Sequence, residues 1–421
     1  MDNTRKEIGP QDYFFIFLAT GAYLLHTLRN ISELYSGVPL LISIAGFLLY
    51  SLNRTKVDSV GFYALLLFIL SYLLPLTYSY LWYPDESYTI SFARYLYMIP
   101  FALFCILAIK STAHYVFLLK VFSFFILLGG FSIFYQIVLG AISWFPEASE
   151  REGLVRFSSL AGNLTAYGIF GGLALPIIYF LFDNKMIRYC SLVTVIIAML
   201  CTLQKAAIVN IALFFMLLFF SGAMINKLKI IGFVVFVLPL LIFVFYFLEV
   251  SYVVATVDNI FRFKEGSGAS DVTFAQSLLD RLWFLPSQLY EMHGSSGLIF
   301  GVGMVGGSGT LGFPDYPMAH NGIFDLLFIG GILNLLAFCT LVIFILWRLK
   351  NLEKYCIAQS YPHTVIKVSI FIYLLIMVNM LFAGPLHVQP YGGVIFYAVT
   401  VFVCLRPDEI RRQATCVDVK R

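Results

Sequence analysis

An all-α, polytopic membrane bundle of about twelve transmembrane helices is the fold class this sequence predicts. Three observations predict it. The 421 residues are 60% hydrophobic and only 12% charged, with a mean hydropathy of +0.89, whereas a soluble domain is about half apolar and a quarter charged. The apolar residues come in long runs broken by polar or charged clusters. A bilayer core about 30 Å thick takes roughly 20 such residues of helix, because no water is present to satisfy a free backbone amide. The ten-residue alternating segments of an outer-membrane barrel are absent.

The spans centre near Phe17, Ile42, Leu67, Pro100, Leu127, Leu173, Val195, Phe214, Leu240, Phe338, Leu375 and Phe402. Helices apolar on every face carry no periodic signal, so length and punctuation place them. Lys and Arg are enriched in cytoplasmic loops. With a cytoplasmic amino terminus, Arg54 and Lys56, Lys185 and Arg188, Lys227 and Lys229, Arg348, Lys350 and Lys354, and Arg406 with Arg411 and Arg412 all fall inside. Both termini are therefore expected in the cytoplasm, and the first apolar run reads as a retained span because it lacks a small-residue cleavage site.

A single transmembrane domain over residues 1–421 is expected, with two long outer loops at about 144–163 and 251–319. The seven cysteines lie in spans, at their ends or on the inner side, so no disulfide framework is expected. No zinc-type Cys/His spacing, Walker loop, internal repeat or low-complexity tract appears. ATP hydrolysis, nucleic-acid binding and a structural metal or other cofactor are not expected.

Cations that defy the inside bias gather on the outer side. Arg156 precedes the sixth span, Lys205 opens the eighth, and Arg262 and Arg281 belong to the long loop. Beside a membrane such a set suits a lipid-linked anion, since Arg grips phosphate oxygens in a fork and Lys adds a point charge. Read singly, each is also an ordinary solvated loop charge. Arg281 sits in the amphipathic "SLLDRLWFLPSQLY", which suits the membrane surface. The glycines of "FGVGMVGGSGTLG" permit tight turns without implying a dinucleotide site, because no strand precedes them.

Where the long loop meets the tenth span the chain reads "PDYPMAHNGIFDLLFIGG". Asn321 is expected to cap the helix, which leaves His320 at its positive end, where a neutral imidazole is favoured. Such a ring can take a proton from a hydroxyl; a satisfied interfacial histidine is the other reading. Asp325, one turn on, either orients the pair or is a first-turn acid favoured by the dipole. Gly330 and Gly331 are expected to permit close helix packing.

The stretches "SSLAGNLTAYGIFGGLALPII", "TLQKAAIVNIALFF", "LDRLWFLPSQLYEMHGSSGLIFGVGMV" and "AHNGIFDLLFIGGILNLLAF" together resemble the bacterial O-antigen ligase and O-antigen polymerase superfamily in order and spacing. The resemblance covers roughly residues 150–345. Its most specific part combines a loop Arg, a Gly-x-Gly and a His-Asn opening the next span. Two places depart from the family pattern: Gln204-Lys205 stands where many members read Ser-Arg, and Gly162-Asn163-Leu164 where many read Asn-Pro-Asn.

The resemblance implies a metal-independent glycosyltransferase of the bacterial inner membrane. Its donor would be an oligosaccharide on undecaprenyl pyrophosphate, and membrane lipid and a chain-length regulator protein would be its partners. His320 and Arg281 match the catalytic positions, and Arg156, Lys205, Arg262, Asn163 and Asn321 fall on the substrate side. A polymerase, joining repeat units, is the favoured expectation over a ligase that transfers the glycan to lipid A core. A transporter of lipid-linked glycans is the reading of another class; repeated halves, broken helices and buried mid-span charges would mark it, and the sequence shows little of these.

Overall fold

The computed structural model describes residues 9–51, 57–82, 96–145, 149–151, 154–162, 166–202, 204–221, 279, 282–283, 285–301, 321–358, 363–381 and 383–406. Twelve α-helices lie among them. In chain order they are α1 (Pro10–Leu24), α2 (Val38–Ser51), α3 (Ser59–Trp82), α4 (Ile99–Ala108), α5 (Thr112–Leu139), α6 (Tyr167–Leu181), α7 (Lys185–Cys201), α8 (Lys205–Ser221), α9 (Leu285–Phe300), α10 (Gly322–Ala358), α11 (Thr364–Met380) and α12 (Pro390–Leu405). Every expected span centre except Leu240, which lies outside the described residues, falls in one of these helices. The last six residues of the amphipathic stretch, 285–290, open α9. The only strands described are β1 (Ser149–Arg151) and β2 (Leu154–Arg156), an antiparallel hairpin inside the shorter expected loop.

Among the described residues, four segments are long and apolar enough to cross a bilayer: Glu33–Ser51, Ser59–Tyr78, Thr112–Leu139 and Gly322–Ala358. Such a chain is a multi-pass membrane protein. Contacts divide it into two compact units, one of residues 1–23, 36–121 and 278–421, the other of residues 24–35 and 122–277.

In the first unit α12 is the central helix, with every residue from Tyr391 to Leu405 buried. A helix apolar all round is buried in protein as readily as in lipid, and here protein surrounds it. Two arginines tie one end of this unit. Arg348 donates to Asp58 Oδ2 from both Nη1 (3.1 Å) and Nη2 (3.0 Å), and Nη1 also reaches the Cys404 carbonyl at 2.6 Å. Arg406 donates to the Ile109 and Ile106 carbonyls, each at 2.9 Å, and so serves the C-terminal carbonyls of α4. Arg348 and Arg406, both expected on the inner side, thus lie at one end of the unit, joined through the last turn of α12.

The other end differs. Within α10 the backbone breaks at Gly331 (φ 66°, ψ −166°), a conformation open almost only to glycine. Asn334 Nδ2 donates to the Leu326 carbonyl at 2.8 Å, although eight residues of continuous helix would hold those positions about 12 Å apart. The chain therefore turns sharply there, and α10 is two helices in sequence. Residues 332–358 alone exceed the roughly 20 residues a span needs. Broken helices were not expected from the apolar pattern, because a break made by glycine leaves hydropathy unchanged.

The break admits a neighbour. A Cβ on Gly330 would stand 2.7 Å from the Ser71 carbonyl oxygen, and one on Gly331 would overlap the Ile299 carbonyl at the end of α9. Gly301 meets the same place from the other side, against the Ile329 carbonyl. The close packing expected of Gly330 and Gly331 is present, and Gly301 of "FGVG" is its counterpart.

The second unit is built around α6, buried from Tyr167 to Ile178. Glycines again set the approach: a Cβ on Gly172 would lie 2.5 Å from Asn210 Cβ in α8, and one on Gly130 would lie 2.7 Å from the Tyr167 hydroxyl. The latter hydroxyl donates to the Ile126 carbonyl at 2.9 Å.

Candidate functional site

Among the polar clusters in the described residues, one in each unit includes sequence-predicted site residues. In the second unit, Arg156 ends β2, and its Nε donates to the Thr202 carbonyl at 3.0 Å. Thr202 closes α7, its own hydroxyl returned to the Met199 carbonyl at 2.6 Å. The guanidinium is thereby pinned at the turn from which α8 starts at Lys205. Beside it, Ser159 N donates to the Gly162 carbonyl at 2.8 Å, and the Gln136 Nε2 donates to the Ser158 carbonyl at 2.7 Å. Thr27 Oγ1 donates to the Ser159 carbonyl at 3.2 Å. Segment 156–162 is therefore a fixed shelf rather than a loose loop.

Two helix N-termini meet near that turn. Gly168, in the first turn of α6, lies so close to α8 that a Cβ there would stand 3.2 Å from Ala207 N and 2.5 Å from Gln204 Oε1. The residue before α6, Ala166, offers no side-chain cap. Helix N-termini carry partial positive charge and unsatisfied N–H groups, so two of them beside an anchored arginine favour an anion.

In the first unit, Asn321 is the cap the sequence predicts: its Oδ1 accepts from Ile323 N at 3.1 Å and Phe324 N at 3.4 Å. Gly322 N donates to the Ala383 carbonyl at 2.7 Å, which joins the start of α10 to the segment between α11 and α12. Asp325 is fully buried, its amide bonded to the Asn321 carbonyl. It lies in the first turn of α10, so both readings of it, orienting the polar pair and a first-turn acid favoured by the dipole, agree with its place.

No model of a known protein family matches this chain, and no curated protein is significantly similar to it. The site therefore stands on its own residues. Of the sequence-predicted set, Arg156 and Asn321 lie as described above, and Lys205 is the first residue of α8. His320, Arg281, Arg262 and Asn163 lie outside the described residues. Arg156 belongs to the second unit and Asn321 to the first.

Sequence reasoning passed over His387. It sits in a 3-10 turn (Leu386–Val388) between α11 and α12, fully buried, with ring centroids 5.0 Å from Phe68, 5.4 Å from Tyr72 and 5.8 Å from Phe396. Among the described residues neither ring nitrogen has a hydrogen-bond partner. Burial pushes its pKa down to about 3, so the ring is neutral. A histidine between two prolines in an apolar run was the available signal.

Proposed function

We propose that this chain is a glycosyltransferase of the bacterial inner membrane that takes an oligosaccharide from undecaprenyl pyrophosphate and joins it to the next lipid-linked repeat unit. The observation that carries this reading is Arg156, anchored on the Thr202 carbonyl at the turn where the N-termini of α6 and α8 come together. An anionic head group attached to a lipid is the ligand chemistry that an outer cation, two helix dipoles and a membrane bundle have in common.

In this reading Arg156, Lys205 and Arg262 hold the diphosphate and offset the charge that grows on it as it leaves, and Arg281 keeps the catalytic position that the resemblance implies. His320, next to the Asn321 cap, takes the proton from the attacking sugar hydroxyl. The diphosphate bond already contains the energy of the reaction, so neither nucleotide nor metal is required. The long outer segments would lie in the periplasm, both termini in the cytoplasm, with about twelve spans.

Purified protein in detergent tests the class. Given the lipid-linked repeat unit it should lengthen the glycan, whereas a transporter, with no compartment to transport across, leaves the glycan unaltered. The transporter reading has broken helices in its favour, at Gly331 in α10 and at Gly294 in α9. Products of a deletion strain separate polymerase from ligase: single repeat units on lipid A follow loss of polymerisation, and lipid-linked polymer with bare core follows loss of ligation.

A further inference from the structure

The turn between α7 and α8 holds a carboxamide with nothing to bond. Gln204, the residue before α8, is 7% exposed, and among the described residues neither its Nε2 nor its Oε1 has a hydrogen-bond partner. Its position is not accidental. Oε1 lies against Gly168, where a Cβ would stand 2.5 Å away, and the same Cβ would lie 3.2 Å from Ala207 N in the first turn of α8. The amide is thus wedged between the first turns of two helices, two residues from the carbonyl that anchors Arg156. Burying an unbonded amide costs stability, so folding alone gives no reason for glutamine here.

The chemistry of the group narrows the ligand. A diphosphate oxygen only accepts, so it would satisfy Nε2 and leave Oε1 unbonded. A sugar hydroxyl both donates and accepts, and a pair of hydroxyls on adjacent carbons matches both ends of a carboxamide at once. We propose that Gln204 reads hydroxyl groups of the sugar attached to the diphosphate, and so helps decide which glycan the site accepts.

This rests on the proposed function and deepens it. The cations grip what all such lipids share, the diphosphate. The amide contacts what distinguishes them. A site built to hydrogen-bond a substrate hydroxyl discriminates strongly against a ligand lacking it, because its own polar group is then left unbonded.

The test compares wild type, Gln204→Met and Arg156→Ala, each purified into lipid nanodiscs. Binding is measured for undecaprenyl diphosphate without sugar and for the lipid-linked repeat unit accumulated by a deletion strain. Methionine keeps the length of the side chain and removes its polar atoms, so the melting temperature should be equal to or above that of wild type. The expected result is that Gln204→Met binds the repeat-unit lipid about tenfold more weakly and the sugar-free lipid unchanged, while Arg156→Ala weakens both.

Equal loss for both lipids, no loss for either, or a lowered melting temperature with Gln204→Met would overturn the role of Gln204 while leaving the diphosphate site intact. Wild type that binds neither lipid overturns the diphosphate reading itself, and the role of Gln204 with it.

Discussion

Replacing Asn334 by leucine removes the side chain that bridges the break in α10 and keeps about the same volume. Two bonds are lost: Nδ2 to the Leu326 carbonyl at 2.8 Å, and the bond Oδ1 accepts from Ser71 Oγ at 2.9 Å. Side-chain hydrogen bonds inside membrane proteins average about 0.6 kcal/mol in double-mutant cycles, with a maximum of about 1.7. A buried polar group left unsatisfied costs about 1–3 kcal/mol. Asn334 is fully buried, so Asn334→Leu should cost about 2–3 kcal/mol. Ser71→Ala should cost less, about 0.5–1 kcal/mol, because its single hydroxyl proton is divided between Asn334 Oδ1 and the Phe68 carbonyl at 2.7 Å, so that each bond is only partly made.

The double mutant should then show a coupling of about 0.5–1.5 kcal/mol. Reversible unfolding of the four proteins in mixed micelles with increasing SDS measures it. If Asn334→Leu unfolds at the wild-type midpoint, the Asn334 bridge does not hold the break and the account of α10 is wrong; if the coupling alone is zero within error, the bond from Ser71 contributes nothing.

Gly331→Ala forces a side chain into a backbone conformation that costs about 1–3 kcal/mol and against the Ile299 carbonyl. Its melting temperature should fall further than that of Gly140→Ala, which also has positive φ but has open space around it. His387 gives a pH dependence: its folded pKa of about 3 lies below the ordinary 6.5, so the unfolded chain binds the extra proton. Its contribution to stability is complete above pH 6.5 and is lost as pH falls through that value toward 3, by up to about 1.4 kcal/mol per pH unit. His387→Leu should flatten that slope in thermal melts taken from pH 7 to pH 4. His320→Ala should lower glycan transfer by about 100-fold or more, and Arg281→Ala should do likewise, with membrane levels unchanged; a His320→Ala protein of normal activity rejects the mechanism. EDTA should leave transfer unchanged.

Much of the fold was legible because lipid imposes a simple rule. A stretch of about 20 apolar residues must be a helix there, so span centres such as Leu67 and Leu127 needed no tertiary information. Caps are also local, and Asn321 before an apolar run was readable as one. Arg156 was legible as an outer cation, but nothing in its neighbours pointed to the Thr202 carbonyl, which lies 46 residues away. Gln204 was legible only as half of the Gln204-Lys205 pair that stands where many members read Ser-Arg, because the sequence does not show whether a carboxamide will find a partner.

The sequence by itself determined that this chain is a multi-pass helical protein and where its helices lie, since hydropathy acts through each segment's own contact with lipid. Tertiary structure alone decided which apolar helices are interior, as α6 and α12 are, because lipid and protein are equally apolar to a leucine or a phenylalanine. It also decided that α10 breaks at Gly331, where the Ile299 carbonyl of α9 needs room, beside Gly330, where the Ser71 carbonyl of α3 does the same.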